Sequence, residues 1–161
     1  MSAPFSRLCL SLVLSAIALT AARANEPAVR LNPRDITNLA QGGAGAGTSG
    51  VAGIRTATLL GDPTKPGPYT IEIQVPAFTL IAAHTHRDDR SAVVVSGHWY
   101  FGYGAVHDAK AAKSLPPGSF YTEPGGAPHF AFTRDEPAVV YISGMGPTDT
   151  RYTEGRAPSG R

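Results

Sequence analysis

Cysteine is almost missing from this chain: Cys9 is the single example in 161 residues. It falls in a stretch that an exported protein would discard, so the remaining chain has neither disulfides nor thiolate ligands. Any metal would have to be held by histidine, carboxylate or backbone oxygen. A bilayer-spanning run is missing as well. The apolar stretch Leu8 to Ala22 covers about 15 residues, against the roughly 20 needed to cross a membrane. With Arg7 before it and the small-x-small sequence Ala22-Arg23-Ala24 after it, residues 1–24 read as a signal peptide, with Asn25 as the mature N-terminus. No twin arginine precedes the run and no cysteine follows it to carry lipid. The expectation is export to the periplasm or the extracellular space, with no membrane anchor after cleavage. The basic surplus disappears with the leader: of 14 basic residues, Arg7 and Arg23 are removed, leaving 12 against 12 acidic ones. Without a basic stripe, nucleic acid is excluded as a partner. There is no serine or cysteine nucleophile arrangement. The glycine-rich "GGAGAG" lacks the strand-then-helix context of a phosphate-binding loop.

What is present is mostly β-pattern. Residues 25–50 are glycine-rich and are expected to form a flexible lead-in. From Val51 onward come about eight short apolar or alternating stretches. Among them, "YTIEIQVP" places Ile71, Ile73 and Val75 on one face and Thr70, Glu72 and Gln74 on the other. Turn signals at close intervals predict an antiparallel sandwich or barrel over residues 51–147. One short connecting helix is expected at "AKAAK", capped by Asp108 and stopped by Pro116-Pro117. Residues 148–161 read as a C-terminal tail, disordered at its end.

Two histidines, His84 and His86, are one residue apart and so share a strand face. Some 45 residues on, "GSFYTEPGGAPHF" brings His129 out of a Pro/Gly turn that can aim it at the other two. His98 and His107 read as surface residues. Trp99, Tyr100, Phe101, Tyr103, Phe130 and Phe132 read as core or pocket wall.

These stretches resemble the two cupin motifs. Gly118, five residues, Pro124, one residue, Gly126, two residues and His129 match the second. His84-x-His86, three residues, the position usually held by an acid, six residues and Gly97 match the first. The layout is similar to that of small secreted single-domain bacterial cupins of type-2-like sequence, and to the cupin-like domain of zinc-binding anti-sigma factors. The resemblance implies an all-β fold, a small antiparallel jelly-roll barrel. It also implies a divalent metal held by His84, His86 and His129, and a small-molecule ligand; a homodimer is a further expectation. The sequence departs from the pattern at Phe78, where the first motif opens with glycine, and at Thr133, where the second ends in asparagine. It departs most at Arg90, which stands at the acidic position.

A guanidinium about 6 Å from a divalent ion repels it by roughly 5 kcal/mol at an effective dielectric of 20. Arg90 is therefore not expected to face a bare metal. Three arrangements stay open. The site can be three-histidine, with Arg90 turned outward or paired to Asp88 or Asp89; such a set suits zinc, iron, nickel or copper better than manganese. Asp88, or Asp89 through a bulge, can supply the carboxylate. Or Arg90 can face inward and bind an anionic substrate that also ligates the metal. A fourth possibility is that no metal is held and the histidines only line the barrel. The functions in view are a metal-dependent oxygenase or isomerase acting on a small, anionic metabolite, and a non-catalytic ligand- or metal-binding or sensing module of the cell envelope.

Overall fold

The computed structural model describes residues 27–43 and 47–153. The expected signal peptide and the last residues of the tail lie outside them. Two five-stranded antiparallel sheets face each other. The first has the order β1 (Arg55–Leu60), β2 (Gly67–Val75), β9 (Ala138–Gly146), β4 (Arg90–Ser96), β7 (Phe120–Glu123). The second runs β10 (Arg151–Tyr152), β3 (Leu80–Thr85), β8 (His129–Phe132), β5 (Trp99–Tyr103), β6 (Lys113–Leu115). Strands distant in sequence are neighbours in both sheets, which makes the crossing topology of a jelly roll. Among the described residues no helix is long and apolar enough to cross a membrane.

The core fills the space between the sheets. Ile71, Ile73 and Val75 of β2 point inward as the alternation predicts, and meet Val94, Val140 and Ile142 from the same sheet and Ile81, Trp99, Phe101 and Ala131 from the other. Ile71, Val94 and Val140 have no exposed surface, and burial on that scale contributes roughly 1.5–3 kcal/mol per side chain. Trp99 donates its indole N–H to the Tyr121 hydroxyl at 3.1 Å, so its one polar atom is satisfied inside the core.

One expectation needs correcting, and both flanking segments carry local structure that the sequence reading did not announce. The described part of the lead-in carries local structure. Asn32 and Asp35 form a reciprocal capping box around α1 (Pro33–Thr37), with Pro33 at the first helical position. Ile36 is buried, Gly42 bridges Thr56 of β1, and Thr48 and Ser49 are buried at the barrel mouth. Next, "AKAAK" is not a helix: Asp108 accepts from the backbone of Lys110 and Ala111, closing one turn that leads directly into β6. Five residues ahead of two prolines are too few to propagate a helix. The one described helix is α1. The tail's end, from residue 154 on, lies outside the described residues; ahead of it, Arg151 and Tyr152 pair with Thr85 and His84 of β3.

Two motif departures have structural readings. Phe78 is the one described non-glycine residue with positive φ, at 55°. It takes the left-handed turn that a glycine would favour, with its ring 80% exposed. Thr133 keeps a structural hydrogen-bonding duty, donating to Pro76 O at 2.6 Å and accepting from Thr79 N at 3.0 Å. At Gly97, φ is +71° and a Cβ would collide with the Pro137 carbonyl, so only glycine closes the β4–β5 turn.

Candidate metal centre

The jelly roll brings His84, His86 and His129 together at one end of the barrel. His84 on β3 is the cross-strand partner of His129 on β8, beyond a bulge that follows Ile81. His86 lies one residue past the end of β3. The ring centroids are 4.4 Å (His84–His129), 4.9 Å (His84–His86) and 5.1 Å (His86–His129) apart. One nitrogen from each ring lies within 4.8 Å of the others, and all three side chains are buried.

Backbone carbonyls fix the rings. Nδ1 of His84 faces Ala82 O at 2.7 Å, that of His86 faces Asp149 O at 2.5 Å, and that of His129 faces Ala127 O at 3.0 Å. A carbonyl can only accept, so each Nδ1 carries the proton and each Nε2 keeps a lone pair. Nε2 of His86 and of His129 is buried with no hydrogen-bond partner. Burial, helped by the neighbouring positive groups, lowers the pKa of His84 to about 4 and that of His86 to about 3. Burial also lowers that of His129. The imidazoles are neutral at neutral pH, the form that ligates metal.

The carboxylate beside them is neither aspartate. Asp88 accepts from the hydroxyls of Tyr69 at 2.8 Å and Thr148 at 2.6 Å, tying the first sheet to the tail. Asp89 accepts from Gly125 N at 2.7 Å, pinning the turn before His129. The acid that reaches the histidines is Glu123, at the end of β7. Its Oε2 lies 3.6 Å from His86 Nε2 and 3.7 Å from His129 Nε2. Arg90 is its direct partner across the β4–β7 ladder.

Arg90 therefore faces inward, 5% exposed, and not outward or toward Asp88 or Asp89. Its Nε donates to Glu123 Oε2 at 2.6 Å, its Nη2 pairs with the same oxygen, and its Nη1 donates to Gly47 O at 3.2 Å. The anion it holds is a side chain of its own chain. Burial alone would raise the Glu123 pKa, but the Arg90 charge outweighs it and holds it at about 2. The pair is thus ionised and neutral in sum. Glu123 was legible only as the acid before Pro124. The available signal was physical: an arginine directed into a barrel requires a carboxylate partner.

The mouth is closed from two sides. Thr150 Oγ1 donates to Thr48 O at 2.7 Å and the Tyr152 hydroxyl to Ser49 O at 2.5 Å, so lead-in and tail hold each other over the histidines. The cavity beneath is about 20 Å³, lined by the three histidines, Arg90 and Glu123 with apolar side chains below. That is room for about one water-sized group. The remaining histidines lie elsewhere: His98 pairs with Glu136 in the open, and exposed His107 rests edge-on against Phe130 and Phe132.

No family model matches the sequence, and no curated protein does. Solved structures do resemble the fold. The polyketide cyclase RemF from Streptomyces resistomycificus is similar at a TM-score of 0.61 and 16% identity, over 78% of this chain and 85% of that one. A sugar phosphate isomerase of the cupin superfamily from Silicibacter pomeroyi is similar at 0.56 and 15%, over 78% and 81%. The DMSP lyase DddQ from Ruegeria pomeroyi is similar at 0.53 and 21%, over 64% of this chain and about half, 54%, of the lyase. At these identities the likeness is one of fold, and the fold is the cupin barrel.

Proposed function

We propose that this is an exported metal-dependent enzyme of the cupin fold, acting on a small metabolite at one divalent ion held by His84, His86 and His129. The observation that carries the metal is the pair of buried, partnerless Nε2 atoms on His86 and His129, with each ring's opposite nitrogen committed to a carbonyl. A lone pair buried without a donor is costly, and a cation in the space removes that cost. Neutral imidazoles and oxygen donors suit zinc, iron, nickel or copper. Three protein nitrogens leave at least one coordination position open for a further ligand. A divalent ion there would polarise a carbonyl or bind a small anion. The chain itself supplies a small chamber with apolar side chains below the polar groups, rings fixed in one tautomer and a charge-neutral carboxylate–guanidinium pair. Cyclase, isomerase and lyase names among proteins of the same fold support an enzymatic reading. A second reading, a metal- or ligand-holding module of the cell envelope, is favoured by the closed mouth and the small cavity.

Metal analysis of the natively purified protein decides the first point. About one ion per chain is expected, lost in His84→Ala and in His129→Ala; wild-type content far below that removes the metal reading. Turnover of a panel of small organic acids by the loaded protein, against binding without turnover, separates the enzyme from the module. Export rests on the pattern of residues 1–24 and predicts a mature N-terminus at Asn25; an intact Met1 on the purified protein would refute it.

A further inference from the structure

We infer that Glu123 is a fourth protein ligand: the carboxylate stands one strand over in the same sheet, on β7, as the cross-strand partner of the β4 position that Arg90 occupies. The inference rests on the metal reading above and concerns which oxygen completes it.

Three observations carry it. First, Glu123 Oε2 and the Nε2 atoms of His86 and His129 converge on one small space, and all three are acceptors. The separations of 3.6 and 3.7 Å are too long for hydrogen bonds. With each Nδ1 committed to a carbonyl, neither ring can turn an N–H toward the carboxylate. Acceptors gathered face to face repel one another unless a cation lies between them. Second, the separations suit a shared ion. Ligands about 2.1 Å from one metal, at angles from tetrahedral to trigonal, stand roughly 3.4–3.7 Å apart. Third, the oxygen that faces the histidines is the one Arg90 grips through Nε and Nη2. The guanidinium holds that oxygen, fixes its direction and balances its charge. A residue that would repel a bare ion from the ligand position thereby becomes the positioning residue of the ligand.

Removing Glu123 alone would not test this, because unpaired Arg90 would itself repel a metal. The informative variant is Arg90→Gln/Glu123→Gln, which removes the carboxylate and leaves the summed charge of the pair unchanged. Co²⁺ serves as the probe, read by competition with a chelator and by its d–d absorption, which reports coordination without any assay of activity. Far-ultraviolet circular dichroism verifies the fold. The expected result is Co²⁺ binding about 100-fold weaker than wild type, the upper end of what loss of a metal's outer partners costs, with an altered absorption band. Binding within threefold of wild type and an unchanged band would show that Glu123 only neutralises Arg90, and would overturn the inference. Should the double variant not fold, Glu123→Asp keeps the charge but withdraws the oxygen by one methylene. Weakening of about tenfold or more supports ligation, and wild-type affinity overturns it. Wild-type protein that takes up no Co²⁺ would sink the metal reading itself, which distinguishes the two failures.

Discussion

Arg90 at the barrel mouth is 5% exposed, gripped to Glu123 and to the Gly47 carbonyl. Phe78, in the turn between β2 and β3, is 80% exposed and holds φ at 55° with its N–H on Arg134 O. Each stands where the first motif usually carries another residue, and the two regions have answered differently. On the inference above, the carboxylate's duty at the mouth passes from β4 to the neighbouring strand β7, since cross-strand side chains stand about 5 Å apart and can exchange duties. In the turn nothing can take over, because a backbone dihedral belongs to its own residue. The chain holds the left-handed conformation with a side chain on it and bears the strain. Chemistry can be relocated within a fold; backbone geometry cannot.

Acid should separate the two regions most widely. The unfolded histidines take up protons as pH falls through about 6.5, whereas His84 and His86 in the fold resist until about 4 and about 3. Between those limits the unfolded state binds more protons, so stability falls as pH falls. Glu123 adds to the loss lower down, because its folded pKa of about 2 lies below its ordinary 4.5. Metal-free protein should lose on the order of 5 kcal/mol between pH 7 and pH 4.5 from His84 and His86 together, with His129 adding in the same direction. Denaturant midpoints across that range measure it. A flat profile would mean that the imidazoles are not held neutral, while the turn, with no charge to titrate, should be indifferent throughout.

The next largest effect is Glu123→Gln, which leaves a buried guanidinium without its counterion. A loss of about 3–5 kcal/mol is expected, and Arg90→Gln/Glu123→Gln should recover most of it, because an absent pair costs far less than a broken one. Urea unfolding of both variants tests this. If the single variant were as stable as wild type, the pair would not be the compensation described above.

The same contrast explains how much of the molecule was legible in the sequence. The barrel and the three histidines follow from local rules: alternation along β2, period two across His84 and His86, and a Pro/Gly turn ahead of His129. Glu123 does not, because its pairing with Arg90 depends on the register of β4 against β7, 33 residues apart in the chain. Asp88 and Asp89 drew attention by sequence proximity, yet the bend after β3 turns them toward Tyr69, Thr148 and Gly125. The helix in the lead-in was missed for the opposite reason. The segment's glycines hid a local signal, Asn32-Pro33-Arg34-Asp35, that marks a helix start without help from the rest of the fold.

The smallest effect sharpens the other half of the comparison. Phe78→Gly should stabilise the protein by about 0.5–1 kcal/mol: relief of a left-handed conformation gives roughly 1–2 kcal/mol, part of which glycine's greater freedom in the unfolded chain takes back. Phe78→Ala is the control that assigns the cause. Alanine removes the exposed ring but keeps Cβ, so its midpoint should stay within about 0.5 kcal/mol of wild type, as for other surface changes. If alanine stabilised as much as glycine, the cost at this turn would lie in the solvated aromatic ring and not in the backbone. The claim that backbone geometry has no stand-in would then lose its example.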